Sequence, residues 1–537
     1  MNNEIIFFLT KLLSPNGVST SIMRKMRYME ESWGIRPMLL LTKYDPNVWV
    51  RMAYLQSDWE DKPASLTHNA CVVGMFEYLC DAYPLRKDIK TVVYKRCEPI
   101  SGATYEEVEP NVYKVFMNGL HTETQSFNVS NGRLRTVERF NGSGVRINTT
   151  CFDDAGQIFR ITVWDAKNPE FHPVEYYFSP EKKIRIQASY VWEPDIARVI
   201  DPFLILENDH NRPAQYILFD ENEKPRKTID SFFGLIAYCL DEMAAAKPDK
   251  KLVVVAEVPV HAKGIVLAKS RNIAKCCLFH NSFLENPNDI NSSPPLVFRG
   301  LCENRKTFDG MIFLTNAERD DFAEKFESSD RYYVIPHAYA DALAPVPFAK
   351  RDGRKVVIVA RFDPVKRIEA AICIFKSVAN MLDGVTLDIY GSGNNESDAE
   401  NIKNHITSLG LGDRVFMKGP TSDPAAVFSS AAMSMMTSSS ECLPLTLMES
   451  ICNGCPAFAF DIKYGPSEII KEGITGFIVQ DNDAEAYTLK MIEFLSDENM
   501  RRTMSENCYA DAKRFGRERF LKNWEEFIND MCERERN

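Results

Sequence analysis

The 537-residue sequence predicts two α/β domains, each built on a parallel, doubly wound sheet, with an antiparallel β-rich insertion in the first. Three observations carry this reading. From Lys355 onward, short apolar runs alternate with helical patterns, and such alternation requires a parallel sheet with crossover helices. Near the start, Ile5-Ile-Phe-Phe-Leu9 reads as a buried parallel strand leading into a small-residue turn and a helical pattern. Between 91 and 205 the texture changes to short β-type runs parted by turn signals.

The turn after the first strand is Ser14-Pro-Asn-Gly-Val-Ser-Thr20, and the helical pattern runs from Ser21 to about Glu31. A strand, a small-residue turn and a helix N-terminus present free N–H groups to an anion, although an ordinary βα turn has the same sequence. In the insertion, Thr91-Val-Val-Tyr94, Tyr113-Lys-Val-Phe116, Ile158 to Trp164 and Ile184 to Tyr190 are the strand runs. The turns Ser130-Asn-Gly132, Asn141-Gly142, Asp153-Asp-Ala-Gly156 and Ser179-Pro180 separate them, as in a meander. A helix at Phe232 to Ala246 and strands at Leu252 to Ala256 and Cys276 to His280 resume the α/β texture.

Proline and glycine in Ala344-Pro-Val-Pro-Phe-Ala-Lys-Arg-Asp-Gly353 mark a connection between domains. Strands are then expected at Lys355 to Ala360, Thr386 to Tyr390, Val415 to Met417, Met433 to Met436 and Ala457 to Phe460. Helices are expected near 367–381, 398–409 and 445–453, with a helical tail from Asp483. The predicted organisation is therefore a first domain of 1–90 and 206–343, an insertion at 91–205, a second domain at 344–520 and a terminal helix at 521–537. Two such domains face each other across a cleft, with ligands at the carboxyl ends of the strands.

Composition excludes several classes. A hydrophobic content of 45% and a charged content of 26% are those of an ordinary globular protein. The net charge of −11 argues against wholesale binding to nucleic acid or to an anionic membrane. Fourteen cysteines are too sparse for a disulfide scaffold, which points to reduced thiols in a cytoplasm. Cys452-x-x-Cys455 has no second pair at zinc-ligand spacing and reads as structural thiols on a packed helix. No apolar run reaches the ~18 residues of a membrane span, so the expectation is a cytoplasmic protein, soluble or peripheral at the inner membrane face.

Chemistry concentrates in two segments. In Ala360-Arg-Phe-Asp-Pro-Val-Lys-Arg367, Arg361 follows a strand and Lys366 stands where the loop enters a helix, two fixed cations suited to a diphosphate. In Glu441-Cys-Leu-Pro-Leu-Thr-Leu-Met-Glu449, one acid ends a strand and the other lies a turn inside a helix that begins near Pro444. A carboxylate so placed accepts both hydroxyls of a ribose, and the helix N-terminus at Leu445 and Thr446 offers N–H groups to phosphate. A solvated basic loop and a helix-dipole glutamate are the plain alternatives. His280 ends a strand in Leu278-Phe-His-Asn-Ser-Phe283. Asp481-Asn-Asp483 has the spacing of a metal-binding D-x-D, but Asp483 precedes a helical run and reads more simply as an N-cap. Gly391-Ser-Gly393 lacks the third glycine of a dinucleotide fingerprint and gives no support to NAD.

The pairs Arg361/Lys366 and Glu441/Glu449 resemble the paired-cation and two-glutamate motif of the retaining glycosyltransferases of family 4, which have the GT-B fold. Phe416-Met-Lys-Gly419 resembles the base-binding strand end of that family, and Tyr390-Gly-Ser-Gly393 its small-residue turn. Ala459-Phe-Asp-Ile-Lys-Tyr-Gly-Pro-Ser467 and Gly476-Phe-Ile478 look like segments of its bacterial wall-teichoic-acid and poly(glycerol phosphate) α-glycosyltransferases, which also carry a β-rich insertion. The likeness is strong over 350–520 and mostly architectural before it.

The resemblance implies a UDP-sugar-dependent, anomer-retaining transferase of glucose or N-acetylglucosamine that needs no metal or other cofactor. It implies that Glu449 holds ribose, that Lys418 and Gly419 hold the base and that Arg361 and Lys366 hold the diphosphate. Glu441 meets the donor sugar, while His280, Asn16 and Gly17 complete the site. The implied acceptor is a polyol-phosphate polymer, or else a serine-rich protein, with homo-oligomerisation through the insertion. A polyanionic acceptor calls for a local basic surface such as Lys513-Arg-Phe-Gly-Arg-Glu-Arg519. A non-catalytic partner subunit and a sugar-nucleotide epimerase of similar fold are the competing readings. Two departures stand out. Phe283 occupies the place of a second histidine, and Cys442 and Pro444 replace the two glycines usual after the first glutamate, Pro444 without an N–H to offer phosphate.

Overall fold

The computed structural model describes residues 4–10, 17–34, 37–41, 72–80, 102–127, 134–152, 158–164, 173–190, 213–339, 345–393 and 396–534. The chain forms two compact units. The first comprises Met1–Cys277, Leu296–Gly310 and Met531–Asn537, and the second Leu278–Pro295 and Met311–Asp530. Thr91 to Tyr94, the turns at Ser130 and Asp153, and Asn16 lie outside the described residues.

In the first unit, parallel strands run in the order Ile273–Leu278, Lys251–Ala256, Glu4–Thr10, Met38–Leu41 and Val72–Gly74. Val253, Val254 and Val255 are all fully buried, which explains the unbroken apolar run of a strand covered on both faces. Gly17 opens the helix Gly17–Trp33, whose Lys25 is buried against Glu257 just past the strand Lys251–Ala256, with Nζ 2.5 Å from Oε1. Burial pushes the Lys25 amine below its ordinary pKa, and the glutamate opposes that shift.

The same unit carries a ten-stranded antiparallel sheet, from Ala103–Glu109 to Pro225–Ile229, in which each strand pairs with its neighbours in sequence. The expected meander is realised at Asn141, whose Oδ1 accepts from the N–H groups of Ser143 and Val145, and at Ser179. Its expected end at 205 is too early. The strands Pro213–Phe219 and Pro225–Ile229 complete the sheet, with Tyr216 and Leu218 buried on alternate positions.

The second unit holds a six-stranded parallel sheet in the order Val415–Gly419, Thr386–Tyr390, Asp352–Val359, Ala431–Met436, Ala457–Asp461 and Gly476–Gln480. Strand order reverses between Asp352–Val359 and Ala431–Met436, the arrangement of a doubly wound sheet with a switch point. Helices follow the strands at Ile368–Met381, Glu396–Ser408, Pro424–Ser430, Leu445–Cys452 and Ala484–Ser496. Asp423 and Asp483 cap two of them by accepting from Ala426 and Ala486 N–H, both at 2.9 Å. Cys452 and Cys455 are buried thiols that form no disulfide, and burial pushes Cys455 up to about 11.

Residues 278–295 and 311–339, assigned from sequence to the first domain, cluster with this second unit. Hydrogen bonds link the helix of this stretch to the rest of the unit. Glu468 accepts from Ala317 N–H at 2.9 Å, and Asp321 accepts from Lys463 Nζ at 2.7 Å and from the Tyr464 hydroxyl at 3.0 Å. These join the helix Asn316–Phe326 to the segment following Ala457–Asp461. The last helix, Arg517–Glu533, starts before the expected 521. No helix among the described residues is long and apolar enough to cross a membrane.

Candidate functional site

The predicted charged residues of the second unit gather at the carboxyl ends of its strands. Arg361 leaves the strand Asp352–Val359 with its side chain 63% exposed and Nη1 3.7 Å from Asp363 Oδ2. Asp363 caps the turn Pro364–Lys366 by accepting from Val365 N–H at 3.0 Å, which fixes the direction in which Lys366 projects. On the far side of the switch point, the strand Ala431–Met436 runs into Thr437-Ser-Ser-Ser440 and Glu441. Lys366 Nζ donates to Glu441 Oε1 at 2.5 Å, with the two side chains 20% and 13% exposed.

Main-chain and hydroxyl bonds hold the two loops together. Thr437 Oγ1 donates to the carbonyls of Lys366 and Arg367, both at 3.0 Å, and Ser439 N–H donates to Val365 O at 2.8 Å. Arg367, which the sequence offered only as part of a basic loop, donates to the carbonyls of Thr437 and Ser438 and to Asp481 and Asn482. Asp481 thus serves an arginine and Asp483 a helix cap.

Glu449 lies one turn into the helix Leu445–Cys452, half-buried, and Leu445 and Thr446 form its first turn after Pro444. Lys418 and Gly419 end the edge strand, two strand spacings (~10 Å) from Asp352–Val359. Lys418 Nζ stands 3.7 Å from Asp388 Oδ1 and 5.0 Å from the centre of the Phe416 ring. The Gly419 carbonyl accepts from Gly391 N–H at 2.9 Å. Gly391 has φ +152°, and a Cβ there would lie 1.8 Å from Ala360 O, so only glycine permits this approach.

His280 follows its strand and stacks on His337, with ring centroids 5.6 Å apart. The preceding carbonyl, of Phe279, is 3.9 Å from Cys442 Sγ, so the histidine segment runs beside the Glu441 segment. Cys442 also donates to Glu318 Oε2 at 3.0 Å. Glu318 is fully buried, and burial pushes it up to about 8. The neighbouring Asp321 and Glu468 act in the same direction, while Cys442 and the Phe283 N–H oppose it. The Cys442 thiol is raised by its own burial and then by Glu318.

Both departures from the two-glycine pattern therefore have packing partners. Cys442 fills the space against Glu318, and Pro444 packs on Gly465, where a Cβ would lie 2.3 Å from Pro444 Cδ. Of the basic stretch at 513–519, Arg514 is occupied structurally by Asp511 and the carbonyls of Glu468 and Ile469. Arg361, Lys366, Lys418, Gly419, Glu441, Leu445, Thr446, Glu449 and His280 thus all belong to the second unit. Gly17 belongs to the first.

Comparison with known proteins gives the following likenesses. Residues 342–511 match the family model of glycosyl transferases group 1. Over 402 residues the chain is 24% identical to a poly(glycerol-phosphate) alpha-glucosyltransferase of Bacillus subtilis (strain 168), covering 74% of this chain and 56% of the relative. Over 305 residues it is 24% identical to a poly(ribitol-phosphate) alpha-N-acetylglucosaminyltransferase of Staphylococcus aureus (strain COL), covering 57% of this chain and 60% of the relative. The chain thus spans little more than half the length of these relatives. A crystal structure of an S. aureus TarM mutant with fondaparinux, alpha-GlcNAc-glycerol and UDP superposes with TM-score 0.77 at 17% identity, covering 98% of this chain and 99% of that one. The pneumococcal O-GlcNAc transferase GtfA, in complex with UDP and GlcNAc, gives TM-score 0.74 at 16% identity, covering 99% and 100%. These likenesses establish a GT-B fold.

Proposed function

We propose that this chain, with a glycosyl transferases group 1 domain at 342–511, transfers a hexose from a UDP-sugar with retention of the anomeric configuration. The observation that carries the reading is the Lys366–Glu441 contact across the switch point of the second sheet, where doubly wound folds bind their ligands. Arg361 and Lys366 neutralise the diphosphate as it departs, so the reaction needs no metal. Glu449 accepts the ribose hydroxyls, and the Lys418–Gly419 main chain meets the base. The first turn at Leu445 and Thr446 offers N–H groups to phosphate. Glu441 faces the donor sugar and stabilises the cationic centre, with His280 contributing from the neighbouring segment. The departing phosphate assists attack from the same face, which preserves the anomer without a covalent intermediate.

The acceptor is a polyol-phosphate polymer and the donor UDP-glucose or UDP-N-acetylglucosamine, on the strength of the Bacillus and Staphylococcus relatives. The alternative acceptor is a serine-rich protein, and the likeness to a UDP-N-acetylglucosamine–peptide N-acetylglucosaminyltransferase GtfA subunit of Streptococcus gordonii supports a peptide acceptor. The reaction belongs in the cytoplasm, where nucleotide sugars are supplied, and the ten-stranded sheet is the candidate surface for self-association. The test is UDP release from each donor with poly(glycerol phosphate), with poly(ribitol phosphate) and without acceptor. Polymer-dependent turnover with one donor supports the reading. Tight UDP binding with turnover only on a serine-rich peptide moves it to the alternative acceptor, and absence of UDP binding overturns it.

A further inference from the structure

Arg367 has an improbable position for a surface arginine. It adopts φ +47° and ψ +45°, a left-handed conformation unfavourable for a residue with a Cβ, at the point where the Lys366 loop enters the helix Ile368–Met381. Its guanidinium then crosses the carboxyl edge of the sheet. Nε donates to Thr437 O at 2.6 Å and Nη2 to Ser438 O at 2.7 Å. Nη2 also donates to Asp481 Oδ1 at 2.5 Å and Nη1 to Asn482 Oδ1 at 2.7 Å, while the group lies 5.2 Å from the centre of the Phe460 ring. One side chain from the loop after Asp352–Val359 thus reaches the ends of the three strands beyond the switch point.

We propose that Arg367 is a positioning residue of the donor site, which sets Lys366 and Glu441 in place for the diphosphate and the sugar. The assignment rests on the UDP-sugar reading above. Arg367 is covalently next to Lys366, and the carbonyls it holds belong to the loop that delivers Glu441. Thr437 returns two bonds, to the carbonyls of Lys366 and Arg367, so displacement of either loop disturbs both. Each nitrogen of the guanidinium already donates within the protein, and the Asp481 carboxylate balances its charge. Arg367 therefore acts through its neighbours and does not serve as a third ligand of the diphosphate. The same contacts assign Asp481 as its anchor.

The test is UDP binding by titration calorimetry, with steady-state UDP release, for the wild type, Arg367→Ala, Arg367→Lys, Asp481→Ala and Lys366→Met. Arg367→Ala should weaken UDP by roughly 10- to 30-fold at unchanged stoichiometry, from the loss of charge-assisted bonds that fix the loops. Arg367→Lys should recover part of that loss, and Asp481→Ala should show a smaller loss in the same direction. In a Lys366→Met background, Arg367→Ala should weaken UDP only a little further, because the cation it positions is gone. A mainly architectural role would instead lower the binding stoichiometry at unchanged Kd, or add its full effect in the Lys366→Met background, and either result overturns the assignment. Should Arg367→Ala fail to fold, Asp481→Ala and Arg367→Lys decide by the same criteria. Wild-type protein that binds no UDP overturns the donor-site reading itself. Wild type that binds UDP, with Arg367→Ala within about twofold of it, overturns the Arg367 assignment alone.

Discussion

Replacing Lys366 by methionine and Glu441 by glutamine should have opposite effects on nucleotide affinity. At 2.5 Å, and at an effective dielectric constant near 20, the pair has roughly 7 kcal/mol of gross Coulomb attraction. Desolvation of both groups offsets most of it. Exposed pairs are worth about 0–1 kcal/mol, whereas breaking a buried one costs about 3–5 kcal/mol. Side chains 20% and 13% exposed fall between these limits, so a coupling of about 2 kcal/mol is expected in a double-mutant cycle of denaturant unfolding. In calorimetry with UDP, Lys366→Met removes, on the proposed reading, a charge-assisted phosphate contact and should weaken binding by roughly 10- to 30-fold. Glu441→Gln releases Lys366 from its counter-ion and should leave UDP bound as tightly or more tightly, while sugar transfer is lost. Additivity of the two stability effects to within about 0.5 kcal/mol would refute the pair. Equal weakening of UDP by both variants would refute the competition between Glu441 and the diphosphate for Lys366.

Three further outcomes follow from the geometry. Glu318 titrates at about 8 when folded, against an ordinary 4.5, because burial disfavours its charge, so the folded state retains a proton through that window that the unfolded chain has lost. Stability should therefore fall as pH rises from 4.5 to 8, by roughly 1.4 kcal/mol per pH unit, and level off above it, and Glu318→Gln should flatten that slope in pH-dependent unfolding. Gly391→Ala should cost more than about 3 kcal/mol, or prevent folding, because its Cβ meets Ala360 O, whereas Gly384→Ala at φ +73° with open space should cost only about 1 kcal/mol. Asp321→Ala removes the acceptor of both Lys463 and Tyr464, and should lower the melting temperature by several degrees, roughly 1–3 kcal/mol.

How much of this was legible in the sequence depended on whether the signal was local. Thr386–Tyr390 was readable to the residue because a short run alternating polar and apolar residues between helical patterns has one interpretation in an alternating chain. Pro225–Ile229 was not, since four of its five residues are exposed and Pro-Arg-Lys-Thr-Ile carries no strand period. Arg361, Lys366 and Glu441 could be located because charge at a strand end is conspicuous. Arg367 could not, because an arginine beside a lysine in a loop reads as solvated, and its left-handed backbone has no sequence signature. Glu318 left a misleading trace. Thr315-Asn-Ala-Glu318 has the spacing of a capping box, and Thr315 Oγ1 does accept from Glu318 N–H at 3.3 Å. The glutamate side chain turns inward to a thiol 124 residues away, a partner that no local pattern announces.

The Lys366–Glu441 contact also bears on how binding and catalysis divide the work on the proposed reading. In the free protein the pair is internally compensated, so two partly buried charges stand ready at the switch point without an uncompensated charge. A diphosphate beside Arg361 and Lys366 draws the lysine away, leaving Glu441 a carboxylate with reduced solvation and a weakened partner. That state is unfavourable while the donor sugar is neutral. It becomes favourable as the anomeric centre gains positive charge, because the carboxylate is then aimed at the atom where charge develops. Binding energy of the nucleotide is in this way held until the transition state, and loss of the Glu441 charge removes transfer while sparing affinity. Arg367 keeps the exchange specific, since it anchors both loops through their backbones while Lys366 changes partners. A site whose loops moved with the lysine would lose the alignment at the moment the charge appears.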